Sequence, residues 1–204
     1  MENKDIKILL ISPLVKEINV IMIDGKSMLE IISTRQSDRK YNNREVETEK
    51  LGRIAEAAWI APSACNGQPW HFIIVNDRDL LLRLADAASA KLLKMNTFLH
   101  QAPAMIVIVR EGSNITSQVG GVVKAKDYSL IDIGIAAANI CLQAESEGLG
   151  SCIVGWFDEK LVKKLLGIPA SKRVELIITI GYSEAEQRTK KRKPKEEVVT
   201  FNKY

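Results

Sequence analysis

Three stretches of the chain carry side chains suited to chemistry on a small charged or planar ligand. Arg35, Ser37 and Arg39 put two guanidiniums and a hydroxyl within five residues, and the forked guanidinium matches phosphate oxygens in two-pronged hydrogen bonds. The run Pro62-Ser63-Ala64-Cys65-Asn66-Gly67-Gln68-Pro69-Trp70 is small and polar, so its backbone N–H groups and short side chains can face a flat polar ligand. Lys190-Lys191-Arg192-Lys193 adds a cluster of cations late in the chain. Each stretch also has a plainer reading. Arg and Ser near a helix end are commonly solvated surface, Ser-Asn-Gly-Pro loops connect helices to strands, and basic runs serve as solvated linkers or weak nucleic-acid patches.

The elements that would hold these stretches follow from periodicity. Ser27 can cap a short helix through Met28, Leu29, Ile31 and Ile32, delivering Thr34 to Arg39 at its end. From Glu47, the residues Leu51, Ile54, Ala55, Ala58 and Trp59 form one apolar helical stripe, which Pro62 ends. Phe72 to Val75 reads as a strand. Asn76-Asp77 then caps a helix from Asp79 to Leu93 with Leu80, Leu84, Ala87 and Ala88 inward. Met95 to Pro103 is a connection, and Ala104 to Val109 is a strand whose unbroken apolar character predicts burial on both faces. Residues 111–127 are polar and aperiodic, and suit either a lid or a surface loop. From Ser129 an Ala-rich helix, apolar nearly all round to Leu142, should be central, with Gly148 as its cap. Asp158 should cap a helix from Glu159 to Leu166 that closes at Gly167, and Arg173 to Ile180 is the last clear strand. The charged tail from Ser183 ends in Val198-Val199-Thr200-Phe201, a candidate final strand.

Composition limits the function classes. With 204 residues, 46% hydrophobic and 26% charged, the chain can bury a core and reads as one domain spanning residues 27–204. A net charge of +4 does not call for nucleic acid. Cys65, Cys141 and Cys152 follow no CxxC or Cys/His pattern, which fits a reducing cytoplasm and argues against a zinc site. His71 and His100 lie far apart, so no metal is expected. Residues 1–26 are an extension of unassigned role. Pro13, Lys16 and Glu17 interrupt its apolar runs before the ~20 apolar residues a membrane span requires. No small-x-small cleavage pattern follows them, so neither a membrane span nor a signal peptide is expected, and Met22 and Met28 offer alternative starts.

The segment Pro62 to Phe72 resembles the "APSxxNxQPWxF" signature of the nitroreductase family of flavin enzymes. Ser33 to Tyr41 is similar to that family's "RRSxRxF/Y" block, Lys191-Arg192-Lys193-Pro194 to its "RKP", and Gly150 to Asp158 to its "GLGsxxxGxFD". The helix–strand alternation by itself first suggests a doubly wound parallel sheet, yet no GxGxxG follows any strand. The resemblance implies instead an α+β fold: a mostly antiparallel sheet wrapped by helices, in an intertwined homodimer that exchanges its C-terminal strand. Gly134, Ala136, Ala137 and Ala138 would then lie at the dimer interface, although an ordinary core helix predicts the same residues.

The same resemblance implies FMN as cofactor and NADH or NADPH as electron donor. Arg35, Gln36, Ser37, Arg39 and Arg192 would bind it from one subunit, and Pro62, Ser63, Ala64 and Asn66 from the other. Asn66 and Gln68 would hydrogen-bond the ring edge, and Ile153, Val154 and Gly155 would lie against the ring. No side chain is expected to act as general acid or base. The implied reaction is ping-pong reduction of nitroaromatic, quinone or related small-molecule acceptors. An offshoot chemistry such as reductive dehalogenation, and a non-enzymatic flavin-binding regulatory dimer, are the alternatives. Gln36 stands where the family often has Arg. Asp38 sits inside the phosphate block, where a carboxylate is unfavourable, so it is expected to point outward.

Overall fold

The computed structural model describes residues 25–89, 95–112 and 126–204. Its centre is strand β2 (Ala104–Arg110). Alternate residues point to opposite faces of a strand. Met105, Val107 and Val109 accordingly enter one apolar cluster, while Ala104, Ile106 and Ile108 enter another. Both faces are buried, which is why the run has no polar alternation.

Around β2 the described strands β1 (Trp70–Val75), β3 (Gly150–Val154) and β4 (Arg173–Gly181) form a four-stranded sheet in the order β1-β2-β4-β3, with every pairing antiparallel. The fold is α+β, and the doubly wound reading is excluded. Between Ile108 and Val109 the β2–β4 register shifts, leaving Glu175 opposite no residue of β2. On one face of the sheet lie α2 (Thr48–Trp59) and α4 (Tyr128–Ser146), whose Leu51, Ile54, Ile133, Ala137 and Ile140 pack on Ile106, Ile178 and Ile180. On the other lie α3 (Arg78–Ala88) and α5 (Glu159–Leu166), with Leu81, Leu84 and Val162 against Met105, Val107 and Ile177.

The expected helix starts and stops are largely present. Asp77 accepts a hydrogen bond from Leu80 N at 2.8 Å, and Asp158 accepts one from Leu161 N at 3.0 Å. Gly148 and Gly167 take the left-handed conformation that ends α4 and α5. Helix α1 (Gly25–Thr34) begins before Ser27, so Ser27 lies inside the helix rather than at its cap. Helix α3 ends at Ala88, where Ser89 is extended, instead of running to Leu93; residues 90–94 lie outside the described residues. Leu80 and Ala87 are only partly buried, while Leu81 and Ala85 are the inward residues the sequence reading passed over.

Three further differences concern surfaces. Trp59 does not share the α2 stripe: it is 63% exposed, beside exposed Ile60. A residue at i+8 from Leu51 drifts off the buried line that Leu51, Ile54 and Ala58 define. Of the small residues in α4, Ala136 and Ala137 face the core, whereas Gly134 and Ala138 are exposed alongside Leu130 and Ile131. The tail carries a one-turn helix, α6 (Lys195–Val198), and no strand at Val198 to Phe201. A strand needs an edge to pair with, and within one chain this segment meets none. Most of the candidate lid, residues 113–125, lies outside the described residues.

Candidate functional site

The phosphate-type residues converge. Arg35, Gln36, Ser37 and Arg39 line a cavity of about 670 Å³ together with Arg188, Thr189, Lys190, Lys191 and Arg192. The two segments are far apart in sequence and meet along a seam. Segment 37–41 is fastened to the sheet by bridges from Ser37 to Ser151 and from Tyr41 to Ser183, with Asp38 N donating to Ser151 O at 2.9 Å. The tail is fastened to it in turn. Gln187 Nε2 donates to Thr34 O at 2.9 Å, Lys190 Nζ to Ile32 O at 2.6 Å, and Arg188 Nη2 to Ser37 O at 2.6 Å. Cations donating to backbone carbonyls can keep their charge directed at the cavity while their geometry is fixed. Burial lowers the Lys190 pKa below the usual lysine range, and the neighbouring charges of Arg35 and Arg192 lower it further.

Gln36 and Asp38 are the struts of this seam. The Gln36 amide donates to Asp38 Oδ1 at 2.9 Å and to Glu186 O at 3.0 Å, and its Oε1 accepts from Arg188 N at 3.0 Å. Asp38 does not point outward as expected: it is 3% exposed. Its room comes from Gly150, where an added Cβ would fall 2.6 Å from Asp38 Oδ2. Tyr41 closes the layer beneath, its hydroxyl donating to Asp38 O at 2.8 Å and lying 2.7 Å from Thr179 Oγ1. Burial pushes the Tyr41 phenol well above its ordinary range, so it stays protonated.

The second candidate region, residues 62–68, is built from backbone. A 3₁₀ turn spans Ala64–Asn66, and Cys65, Asn66 and Gln68 hold φ of 52°, 52° and 44°. Three non-glycine residues in the left-handed region within four positions store strain, which clusters at ligand sites. The turn is tied down by Ser63 Oγ, which accepts from Gln68 N at 3.0 Å, and by Asp132 Oδ1, which accepts from Ala64 N at 3.0 Å. Gln68 Nε2 donates to Asn66 Oδ1 at 3.1 Å. Below it Trp70 is buried and stacks on Phe72 at 5.9 Å. Pro62, Asn66 and Gln68 are exposed, and Ser63 and Ala64 half-buried. This loop contributes nothing to the lining of the cationic cavity, so one chain does not join the two sets of predicted residues there.

At the end of β3, Ile153 is exposed while Val154 turns its side chain into the core, leaving only its backbone for a ligand. A Cβ on Gly155 would meet Leu176 at an ordinary 3.8 Å, so packing within the chain does not demand glycine there. Two residues were not singled out from sequence. Asp132 is 5% exposed on α4, and its signal was one carboxylate amid SLIDIGIAAANICL. Arg188 had no signal beyond its proximity to the lysine run. Among the described residues no helix is long and apolar enough to cross a membrane, and no group of three His, Cys, Asp or Glu could hold a metal ion.

Comparison with known proteins bears on this geometry. A relative from Archaeoglobus fulgidus provisionally named NADH dehydrogenase/NAD(P)H nitroreductase is 33% identical over 163 residues, spanning 78% of this chain and 87% of the relative. A solved structure of an FMN-dependent nitroreductase from Clostridium difficile R20291 superposes with a TM-score of 0.70 at 32% identity, covering 86% of this chain and 99% of that one. An iodotyrosine deiodinase from Thermotoga neapolitana is 26% identical over 194 residues, spanning 85% of this chain and 96% of the relative. The sequence model of the nitroreductase family matches residues 32–182, from the end of α1 through the whole sheet, and the chain belongs to that family.

Proposed function

We propose that the chain is an FMN-dependent oxidoreductase. It takes hydride from NADH or NADPH and passes the electrons to nitroaromatic, quinone or related electrophilic acceptors in a ping-pong cycle. The observation that carries this reading is the cavity where Arg35, Ser37 and Arg39, near the start of the family match, meet Arg192, ten residues beyond its end. No carboxylate is among its lining residues, which is the donor set a phosphate dianion requires. Arg35, Arg39 and Arg192 neutralise the phosphate and the Ser37 hydroxyl donates to it. Gln36 contributes by holding Arg188 and the tail in place.

Bound FMN supplies the hydride chemistry. The chain's own residues bind, orient and exclude water. Asn66 and Gln68 offer an amide pair to the ring edge, and the strained turn presents backbone N–H groups at fixed directions. Ile153, the Val154 backbone and Gly155 form a surface on which a flat ring can lie closely, Gly155 because it has no Cβ. No general acid or base is required.

The exposed apolar residues support a homodimer. Met28, Leu29 and Ile32 of α1, Trp59 and Ile60 at the end of α2, and Leu130 and Ile131 of α4 are all exposed in the single chain. A second copy covering them would let Pro62, Ser63, Ala64 and Asn66 of one subunit complete the cleft of the other, and its sheet edge would receive Val198 to Phe201. Light scattering should give twice the chain mass. The deiodinase relative favours a second reading, reductive removal of halogen from a phenol.

The visible spectrum of the purified protein tests the central reading. Flavin bands that bleach on anaerobic NADH or NADPH, and recover with a quinone, are the expected result. A colourless protein that takes up no added FMN overturns it, and recovery only with a halogenated phenol selects the second reading.

A further inference from the structure

Lys190 stands in a setting unlike that of the chain's ion-paired lysines. Lys40, Lys163 and Lys172 are paired with Glu184, Glu159 and Glu111, and a carboxylate partner keeps an ammonium protonated. Lys190 is half-buried, and its Nζ donates instead to Ile32 O at 2.6 Å. The cavity it lines holds Arg35, Arg39, Arg188, Lys191 and Arg192, with no carboxylate in that lining. Like charges gathered in a partly buried cleft are unfavourable without anions between them. Burial lowers the Lys190 pKa, the charges of Arg35 and Arg192 lower it further, and the charge of Glu145 opposes them. A larger share of this amine is therefore unprotonated at neutral pH than of an exposed lysine's.

An unprotonated amine is a nucleophile, and a lysine beside other cations is activated in this way. What it meets is decided by the cleft. Arg35, Ser37, Arg39 and Arg192 line the same cavity and offer a phosphoryl group charge-assisted contacts. In an acyl phosphate the carbonyl carbon lies one bridging oxygen away from phosphorus. A phosphoryl group held by those residues keeps that carbon inside the cavity that Lys190 lines, and an encounter in solution becomes a reaction within one complex. The same guanidiniums stabilise the charge of the phosphate that leaves.

We infer that Lys190 is an acylation site for small acyl phosphates bound in the cationic cleft, and that its acylation weakens the cleft's hold on a phosphate ligand. The amine nitrogen attacks the acyl carbonyl carbon and forms a C–N bond. The bond from that carbon to the bridging oxygen breaks, and inorganic phosphate leaves with the electron pair. The nitrogen gives its proton to water, and nothing is oxidised or reduced. The amide formed is neutral, so the cleft loses one of its cations. The acylation needs only the cleft, whereas its effect on flavin rests on the FMN reading above. FMN bound through the same residues shields the amine, which confines acylation to chains that have not taken up their flavin.

The test treats the full chain, at rising FMN occupancy, with acetyl phosphate and follows each lysine by peptide mass spectrometry. At low occupancy Lys190 should react about tenfold faster than exposed Lys193, the scale of one well-placed charge-assisted contact. Added FMN or inorganic phosphate should remove that lead. The uncharged N-hydroxysuccinimide ester of acetic acid has no phosphoryl group to be held, so with it most of the lead should vanish. Arg35→Ala should slow acetyl phosphate at Lys190 about tenfold, and the ester less. If Arg35→Ala does not fold, Arg192→Ala, in the exposed tail, serves with the same expectation. Lys190→Gln, an amide in place of the ammonium, should weaken FMN about threefold, the scale of a partly exposed charge, and Lys190→Arg should weaken it less. A Lys190 that reacts no faster than Lys193 overturns the inference, as does an equal lead with the ester or a lead that inorganic phosphate leaves intact. A chain that binds FMN yet shows no such selectivity sinks this inference alone. One that takes up no FMN, but whose Lys190 is acetylated selectively and protected by inorganic phosphate, keeps the acylation site and sinks the flavin reading.

Discussion

The cationic cleft and the 62–68 loop hold groups ready for a ligand in opposite ways. In the cleft the information is in side chains: Arg188 and Lys190 are anchored on the carbonyls of Ser37 and Ile32, and the destabilising element is unmatched charge. In the loop it is in the backbone: Cys65, Asn66 and Gln68 sit at positive φ, and the destabilising element is torsional. Each left-handed non-glycine residue costs about 1 kcal/mol or more, and Asp132 and Ser63 hold the turn against that cost. Charge and shape are thus supplied by separate regions, and each can be broken without the other.

The largest effect is expected beneath the cleft. Gly150→Ala places a Cβ 2.6 Å from Asp38 Oδ2, 2.8 Å from Ser183 Cβ and 2.9 Å from Asp38 Cγ. Asp38 is buried and held by Gln36, so relief requires the seam itself to shift, and the stability loss should reach about 2–3 kcal/mol. Urea unfolding measures it, and an unchanged midpoint would show that the seam yields easily. Because the fault lies under the phosphate cations, FMN affinity should fall while a phosphate-free flavin is affected less.

Arg35→Ala sharpens the same contrast. Losing one charge-assisted contact of about 1.5–3 kcal/mol should weaken FMN roughly 10- to 100-fold, with riboflavin, which has no phosphate, nearly unchanged. Asp132→Ala acts on the other region and leaves Ala64 N–H without its acceptor. It should weaken FMN and riboflavin alike, by roughly three- to tenfold, at the low end of the range for an unpaired buried donor. Fluorescence titration with the two flavins separates the pair, and equal loss of both flavins in Arg35→Ala would contradict the division of labour.

How much of this was legible in sequence follows from which interactions are local. Arg35, Ser37, Arg39 and Arg192 could be named because they fall in stretches that resemble the family's motifs, residue type alone being equally common on a solvated surface, and all four line one cavity. β2 was legible because a strand buried on both faces shows an unbroken apolar run. Asp38 was misjudged because its burial depends on a glycine more than a hundred residues away, a relation no local pattern encodes. The positive φ of Cys65 and Gln68 had no signal either, since neither is a residue type that favours that conformation. Trp59 lies off the buried stripe, and Val198 to Phe201 forms no strand within one chain, for a shared reason: periodicity marks an apolar face or an extended segment, but not what covers it or pairs with it.

The root of the tail supplies the last and smallest test. Tyr182 precedes the seam, and its hydroxyl donates to Glu47 Oε2 at 2.7 Å while the Arg44 guanidinium lies 4.0 Å over its ring. The Tyr182 hydroxyl, helped by the Glu47 backbone and Arg44, lowers the Glu47 pKa from its ordinary value of 4.5 to about 2. A carboxylate with a depressed folded pKa contributes stability that is fully present above its unfolded value. That contribution declines as pH falls from about 4.5 towards 2. The Glu47 side chain is 39% exposed, and solvent screening keeps the effect modest. Between pH 5 and 3 the urea midpoint of the wild type should fall slightly more steeply than that of Glu47→Gln, whose amide oxygen still accepts from Tyr182 but does not titrate. Hydrogen exchange over the same range should quicken at residues 183–192 more in the wild type than in Glu47→Gln, because acid loosens the root of the tail through Glu47, whereas residues 62–68, held by Asp132 and Ser63, should respond alike in the two proteins. An equal difference between the two proteins in both regions would mean that cleft and loop unfold as one unit, and the separation of charge from shape would fail.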